Sequence, residues 1–154
     1  NPKGITGFRD LLKPEMRVMV VSGAGQVGMW EDIAGRTGRI EMVRDFRRNI
    51  AVFAATSGDA RRIWQENSQL DAWVIWNIWW VANPELADMV PIEDDLVIYR
   101  DSGVGLTRRG QGKPSAQQFV DFLQSPEGSK IFAKWGWLSQ VRSTAPNPRL
   151  PGAQ

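Results

Sequence analysis

The stretch VMVVSGAGQVGMWEDIAGR, residues 18–36, decides how the chain is read. A valine-rich apolar run meets Gly23-x-Gly25-x-x-Gly28, which by letter alone matches a dinucleotide-binding turn. That reading requires a strand before the glycines and a long helix after them. It also requires an acid about 20 residues on, closing the second strand to hold a ribose. The first condition is met. Gly35 and Gly38 cut the following helix after about two turns, and Asp45 falls inside the amphipathic pattern IEMVRDFRR instead of at a strand end. What survives is the chemistry of the turn. Unpaired N–H groups at a helix start, with glycines that let a ligand approach, bind an anion of phosphate, sulfate or carboxylate size. A tight strand-to-helix turn without ligand is the alternative.

Outward from this stretch, strand and helix signals alternate. TGFRDLLKPEMR predicts a short helix after Thr6, stopped at Pro14. Arg17–Val21 reads as a buried strand and Met29–Ala34 as a helix. IEMVRDFRR reads as a second helix with Ile40, Val43 and Phe46/Arg47 on one face. The strand NIAVFA leads into Thr56-Ser57-Gly58-Asp59, an N-cap run for the helix ARRIWQEN. LDAWVIWNIWWV reads as a strand entering a turn, PELADMVPIE as a turn, a short helical piece and a strand, and LVIYRDSGVGLT as a long strand. SAQQFVDFLQSPEGSKIFAKWGW contains two helices split at Pro126, and STAPNPRLPGAQ is a fraying, proline-rich tail. The alternation predicts an α/β protein with a mainly parallel sheet.

Composition bounds the chemistry. The chain has 154 residues, 42% of them hydrophobic and 23% charged, which fits one domain, or one lobe of a larger protein plus part of another. A net charge of +2 with interleaved signs gives no nucleic-acid footprint. Cysteine and histidine are absent, which excludes disulfides, thiol nucleophiles, the common zinc sites and histidine-based triads. No metal or cofactor is expected. The opening NPKGITGFRD has neither the charged nor the apolar region of a secretory signal.

Two further stretches are candidates for ligand contact. Ser57 and Gly58 stand at a second strand-to-helix turn, which would face the same crevice as the glycine turn; simple capping needs only one of the hydroxyls there. The run from Trp73 to Trp80 holds four tryptophans in eight residues, at least half of them expected to pack, with Asn77 as its one polar residue.

In order along the chain, NPKGITGFRDLLKP, RVMVVSGAGQVGMWEDIAGR, DAWVIWNIWWVANPELADMVPIE, VIYRDSGVGLTRRG and FVDFLQSPEGSKIFAKWGW resemble extracellular solute-binding proteins of the molybdate and sulfate class. They look most like the accessory colonization factor branch, to which some aconitate isomerases are similar. The likeness covers nearly all of residues 1–138. FLQSPEGSKIFAKWGW is the closing signature of such proteins, and WEDIAGR with IWNIW marks the branch.

The resemblance implies a periplasmic-binding-protein type II fold, a mainly parallel sheet with flanking helices, in which two lobes close over a ligand. Residues 1–98 would form the second ligand-binding lobe. Residues 99–138 would form the hinge return and the C-terminal part of the first lobe, and 139–154 the tail. The N-terminal half of the first lobe and the signal peptide would lie outside this sequence. Family contacts carried over residue by residue fall on Gln26, Val27 and Gly28, with Gly25 in the same turn, then on Ser57 and Gly58, then on Trp76 and Asn77. Trp76 departs from the tyrosine common in oxyanion binders, which favours a larger organic anion over a bare tetrahedral one. Arg100 would return through the hinge, offering a bidentate grip on a carboxylate or pairing with Asp101 or a neighbouring acid.

The implied function is capture of a small anion, an organic carboxylate or oxyanion, for delivery to an ABC-transporter permease, in the periplasm or another extracytoplasmic space. An isomerase of the aconitate type on the same scaffold is the alternative, with Glu31, Asp32 or Tyr99 as base; a dinucleotide enzyme is the remote one. The apolar face Phe119, Phe122, Leu123, Ile131, Phe132 and Trp135 is too large to leave wet, since each such side chain is worth about 1.5–3 kcal/mol when buried. The chain alone is therefore expected to self-associate or to bind the missing half in trans. Sedimentation as a stable monomer in analytical ultracentrifugation contradicts this.

Overall fold

The computed structural model describes residues 1–138; the predicted tail lies outside them. The chain forms two compact units, Asn1–Ser102 and a second that starts at Gly103.

The first unit is built around β1 (Val18–Val21), whose four residues are all buried. It pairs in parallel with β2 (Ile50–Ala54) on one side and β3 (Ala72–Trp73) on the other, giving the order β2-β1-β3. A central parallel strand is covered on both faces, which explains its unbroken apolar run. Val18 and Val20 face one layer with Phe8, Met29, Ile33, Phe46 and Leu96, while Met19 and Val21 face the other with Ala54, Ala60 and Leu70. The first layer is supplied by a 3-10 helix (Phe8–Leu12), α1 (Met29–Gly35) and α2 (Ile40–Asn49). Phe46 stacks between Phe8 and Trp30 at centroid distances of 4.6 and 5.5 Å. The second layer is α3 (Ser57–Glu66). This is the expected α/β fold with a parallel sheet and flanking helices.

Four local expectations need correction. The buried face of α2 is Met42, Phe46 and Asn49, at spacings of four and three, with Val43 half-buried; Ile40 is 70% exposed. Asn49 is tolerated inside because its amide donates to the carbonyls of Leu11 and Lys13 at 2.8 and 2.7 Å. The aromatic strand stops at Trp73, and Asn77–Ala82 is a helix, α4. The bulk and β-branching of WVIWNIWW suggest a strand, but Trp73, Trp76, Trp79 and Trp80 recur at helical three- and four-residue spacing. Residues 84–93 hold turns and no helix or strand, and residues 97–107 are likewise irregular. A strand needs a ladder, and among the described residues none lies alongside to supply it. These loops are fixed by side chains instead. Leu96 is fully buried, and the indoles of Trp64 and Trp80 donate to the carbonyls of Leu86 and Ala87 at 2.9 and 3.1 Å.

The second unit carries α5 (Arg108–Gln111), α6 (Pro114–Gln124) and α7 (Pro126–Lys134), the last two split at Pro126 as expected. Ser125 makes the joint: its hydroxyl donates to the Phe122 carbonyl at 2.7 Å and accepts from the Gly128 N–H at 3.1 Å. Of the apolar face, Phe119, Phe122, Ile131 and Trp135 are exposed, while Leu123 and Phe132 are half-buried.

A carboxylate latch closes the first unit. Glu93 accepts from the N–H groups of Phe8 and Arg9 at 2.9 and 3.1 Å, capping the 3-10 helix from 85 residues away. A β-carbon on Gly7 would stand 2.6 Å from that carboxylate, so any larger residue there would have to displace it. Arg9 in turn grips Asp95 with both guanidinium nitrogens, at 3.0 and 2.5 Å. Burial pushes the Glu93 carboxyl up, but backbone N–H donors and the Arg9 charge outweigh it and hold it below its ordinary value. Asp95 is lowered chiefly by its hydrogen bond from Arg9, and Asp10 by Lys13 and Thr6.

These folded-state values lie below the unfolded ones, so as pH falls the unfolded chain takes up protons first. The stabilisation is complete above the ordinary carboxyl pKa of about 4 and is lost as pH drops through the folded values. Urea midpoints should therefore fall progressively below about pH 4. Glu93→Gln should lower stability at neutral pH by about 1 kcal/mol and flatten part of the acid decline. Identical pH profiles for the two proteins would contradict the latch.

Candidate functional site

Parallel pairing places the carboxyl ends of the strands at one edge of the sheet, where open α/β folds bind ligands. The register ends with Val21 opposite Ala54, and the Ser22 N–H reaches on to the Ala54 carbonyl at 2.9 Å. The turns that follow β1 and β2 are thereby held side by side.

The first turn is compact. The Gln26 N–H donates to the Gly23 carbonyl and the Met29 N–H to that of Gln26, both at 3.1 Å. Gly25 and Gly28 take φ of 81° and 74°, and Gly28 caps α1 in the left-handed region, where a β-branched residue is strained. Among the described residues, none accepts a hydrogen bond from the N–H groups of Val27 or Gly28. The Val27 side chain is 65% exposed.

At the second turn the four polar residues divide the work. Thr56 is the cap: its hydroxyl accepts from the Asp59 N–H at 3.1 Å and donates to the Asp59 carboxylate at 2.8 Å. Capping therefore leaves the Ser57 hydroxyl available. That hydroxyl accepts from the Gln26 side-chain amide, which joins the two turns directly. Gln26 is 96% buried by its 4% exposure, and its Oε1 has no partner among the described residues. Burying an amide oxygen without a partner costs about 1–3 kcal/mol. Such a cost at the meeting point of two ligand-type turns is what a binding site tolerates.

Trp76, Asn77 and Arg100 complete the rim. The Trp76 indole donates to the Gly25 carbonyl at 2.9 Å, bracing the glycine turn, and Asn77 begins α4. Trp64, Trp73 and Trp79 pack on one another at 6.3 and 6.1 Å behind the rim. Arg100 pairs with Asp32 on the first turn of α1, one of the neighbouring acids open to it, and not with Asp101. A β-carbon on Gly28 would lie 3.7 Å from Arg100 Nη2, so the guanidinium stands beside the glycine turn. Glu31, Asp32 and Tyr99, the bases considered for an isomerase, line one cavity of about 560 Å³ together with Arg100.

The nine candidate residues thus fall on the turns after β1 and β2, the start of α4 and the segment beside α1. Two features escaped the sequence reading. The Gln26–Ser57 link pairs residues 31 positions apart, and nothing local announces it. The assignment of Thr56 as sole cap was available in the Thr56-x-x-Asp59 spacing.

Comparison with known proteins agrees with the fold. No curated protein matches the chain significantly. The structure of PEB3 with bound L-phospholactate superimposes with a TM-score of 0.77 at 37% identity, over 89% of this chain and 60% of that one. PEB3 from Campylobacter jejuni superimposes with a TM-score of 0.73 at 35% identity, with the same coverage. The chain therefore spans about 60% of the length of these relatives. The family model for bacterial extracellular solute-binding proteins matches residues 1–138, and the chain belongs to that family.

Proposed function

We propose that the protein captures a small organic anion bearing a phosphate or carboxylate group and delivers it to an ABC-type permease, outside the cytoplasm. The observation that carries this reading is the Gln26–Ser57 link, which holds the glycine turn, with its Val27 and Gly28 N–H groups unengaged among the described residues, against the N-terminal turn of the ten-residue α3. Around it stand neutral donors, the N–H groups of Val27 and Gly28, and one cation, Arg100. Neutral donors on a rigid frame suit an anion that must be released again, because they lack the strength of fully paired charges. The ligand of PEB3 carries a phosphate and a carboxylate, which fits a site with two turns and one guanidinium. In this reading residues 1–98 form one jaw, the chain from residue 99 returns toward the other, and the exposed face of α6 and α7 is covered by the rest of a longer chain or by a second copy. WEDIAGR and IWNIW support a place on the accessory colonization factor branch.

Isothermal titration against L-phospholactate, inorganic phosphate, sulfate and a series of di- and tricarboxylates tests the proposal. At least one is expected to bind, and no heat from any of them would overturn it. Gly28→Val should weaken the best ligand about tenfold to a hundredfold, the scale of one charge-assisted hydrogen bond at roughly 1.5–3 kcal/mol. The fold should survive the change. Undiminished binding by Gly28→Val would remove the turn from the site.

A further inference from the structure

The Arg100 guanidinium stands 3.7 Å from where a β-carbon on Gly28 would lie, yet it is turned to Asp32. Both side chains are about half exposed, at 45% and 55%. The pair also lines the 560 Å³ cavity with Glu31, Arg36 and Tyr99, so neither partner is packed in place. Asp32 is held on α1, whose N–H ladder it joins through the Gly28 carbonyl at 2.9 Å. Arg100 sits on an irregular segment with no helix or strand. The acid's backbone is therefore anchored in a helix, while that of the cation lies outside any helix or strand.

We propose that Asp32 is a specificity-determining residue that competes with the ligand for Arg100. The inference rests on the anion-site reading above. A ligand anion seated at the Val27 and Gly28 N–H groups engages Arg100 only by drawing it off the Asp32 carboxylate. A multiply charged ligand wins that contest, because attraction scales with charge. A monoanion of similar shape does not, and it binds through the neutral donors alone. The acid thus sets a lower limit on the ligand charge that engages Arg100, without touching the ligand.

The test is a double-mutant cycle read by isothermal titration, with L-phospholactate as the multiply charged probe and L-lactate as the monoanion. Asp32→Asn should tighten L-phospholactate about threefold to fivefold, the range of an exposed ion pair. It should tighten L-lactate less, because the monoanion gains only its own weaker pairing with Arg100, so the preference widens. In an Arg100→Gln background the same change should do nothing, whereas a general field effect would tighten binding there equally. Glu31→Gln removes the same charge one residue away and should have the smaller effect. Asp32→Ser provides a second variant if Asp32→Asn fails to fold. An unchanged preference, or equal tightening without Arg100, overturns the proposal. If the wild-type protein binds neither probe nor any other anion, the anion site itself is lost, an outcome distinct from wild-type binding that is indifferent to Asp32.

Discussion

The parallel pairing of β1 with β2 is the constraint on which everything else depends. It places Val21 beside Ala54, and from that point the two chains leave the sheet as neighbouring turns. An antiparallel pairing would send the turns to opposite ends. Because β1 is buried on both faces, its side chains lock it in register from two directions, and a slip of one residue would exchange Val18 and Val20 for Met19 and Val21 between the layers. The position of the crevice follows from the packing of four residues.

On this frame the candidate site is assembled from polar groups that the core could have done without. The Gln26 amide and the Ser57 hydroxyl add no apolar burial, and an apolar pair of the same shape would leave no orphaned oxygen. Their presence is understandable if the gap between the turns serves a ligand. Helix α1 is only seven residues long, so its dipole contributes little, and the turn's chemistry resides in the N–H groups themselves. The Glu93 and Arg9–Asp95 latch works at another level: it fastens residues 93–95 to the 3-10 helix and so holds the start of the segment that carries Arg100.

Much of this was legible in the sequence, and what was not has a physical reason. The valine run, the glycine turn, the N-cap run Thr56-Ser57-Gly58-Asp59 and the break at Pro126 are local signals, written in adjacent residues, and the structure follows them. The helix at Asn77–Ala82 was hidden because tryptophan, isoleucine and valine suit a strand by propensity, while only their spacing suggests a helix. The segment 97–107 was misread for a different reason: LVIY has strand composition, but a strand is a relation between two segments, and composition describes one. At the site, the residue types and the two turns could be named from sequence. The contacts between them could not, because Gln26 with Ser57, Trp76 with Gly25 and Arg100 with Asp32 all join residues more than 30 positions apart.

The most direct measurement of whether the two turns act as one site is a 1H–15N correlation titration with L-phospholactate, following backbone amides at residues 25–28 and 57–58 and the Gln26 side-chain amide. Both turns should shift together along a single binding curve, with the Gln26 amide moving at the same midpoint. Shifts confined to one turn, separate midpoints, or a ligand response elsewhere with these amides unmoved would contradict a shared crevice.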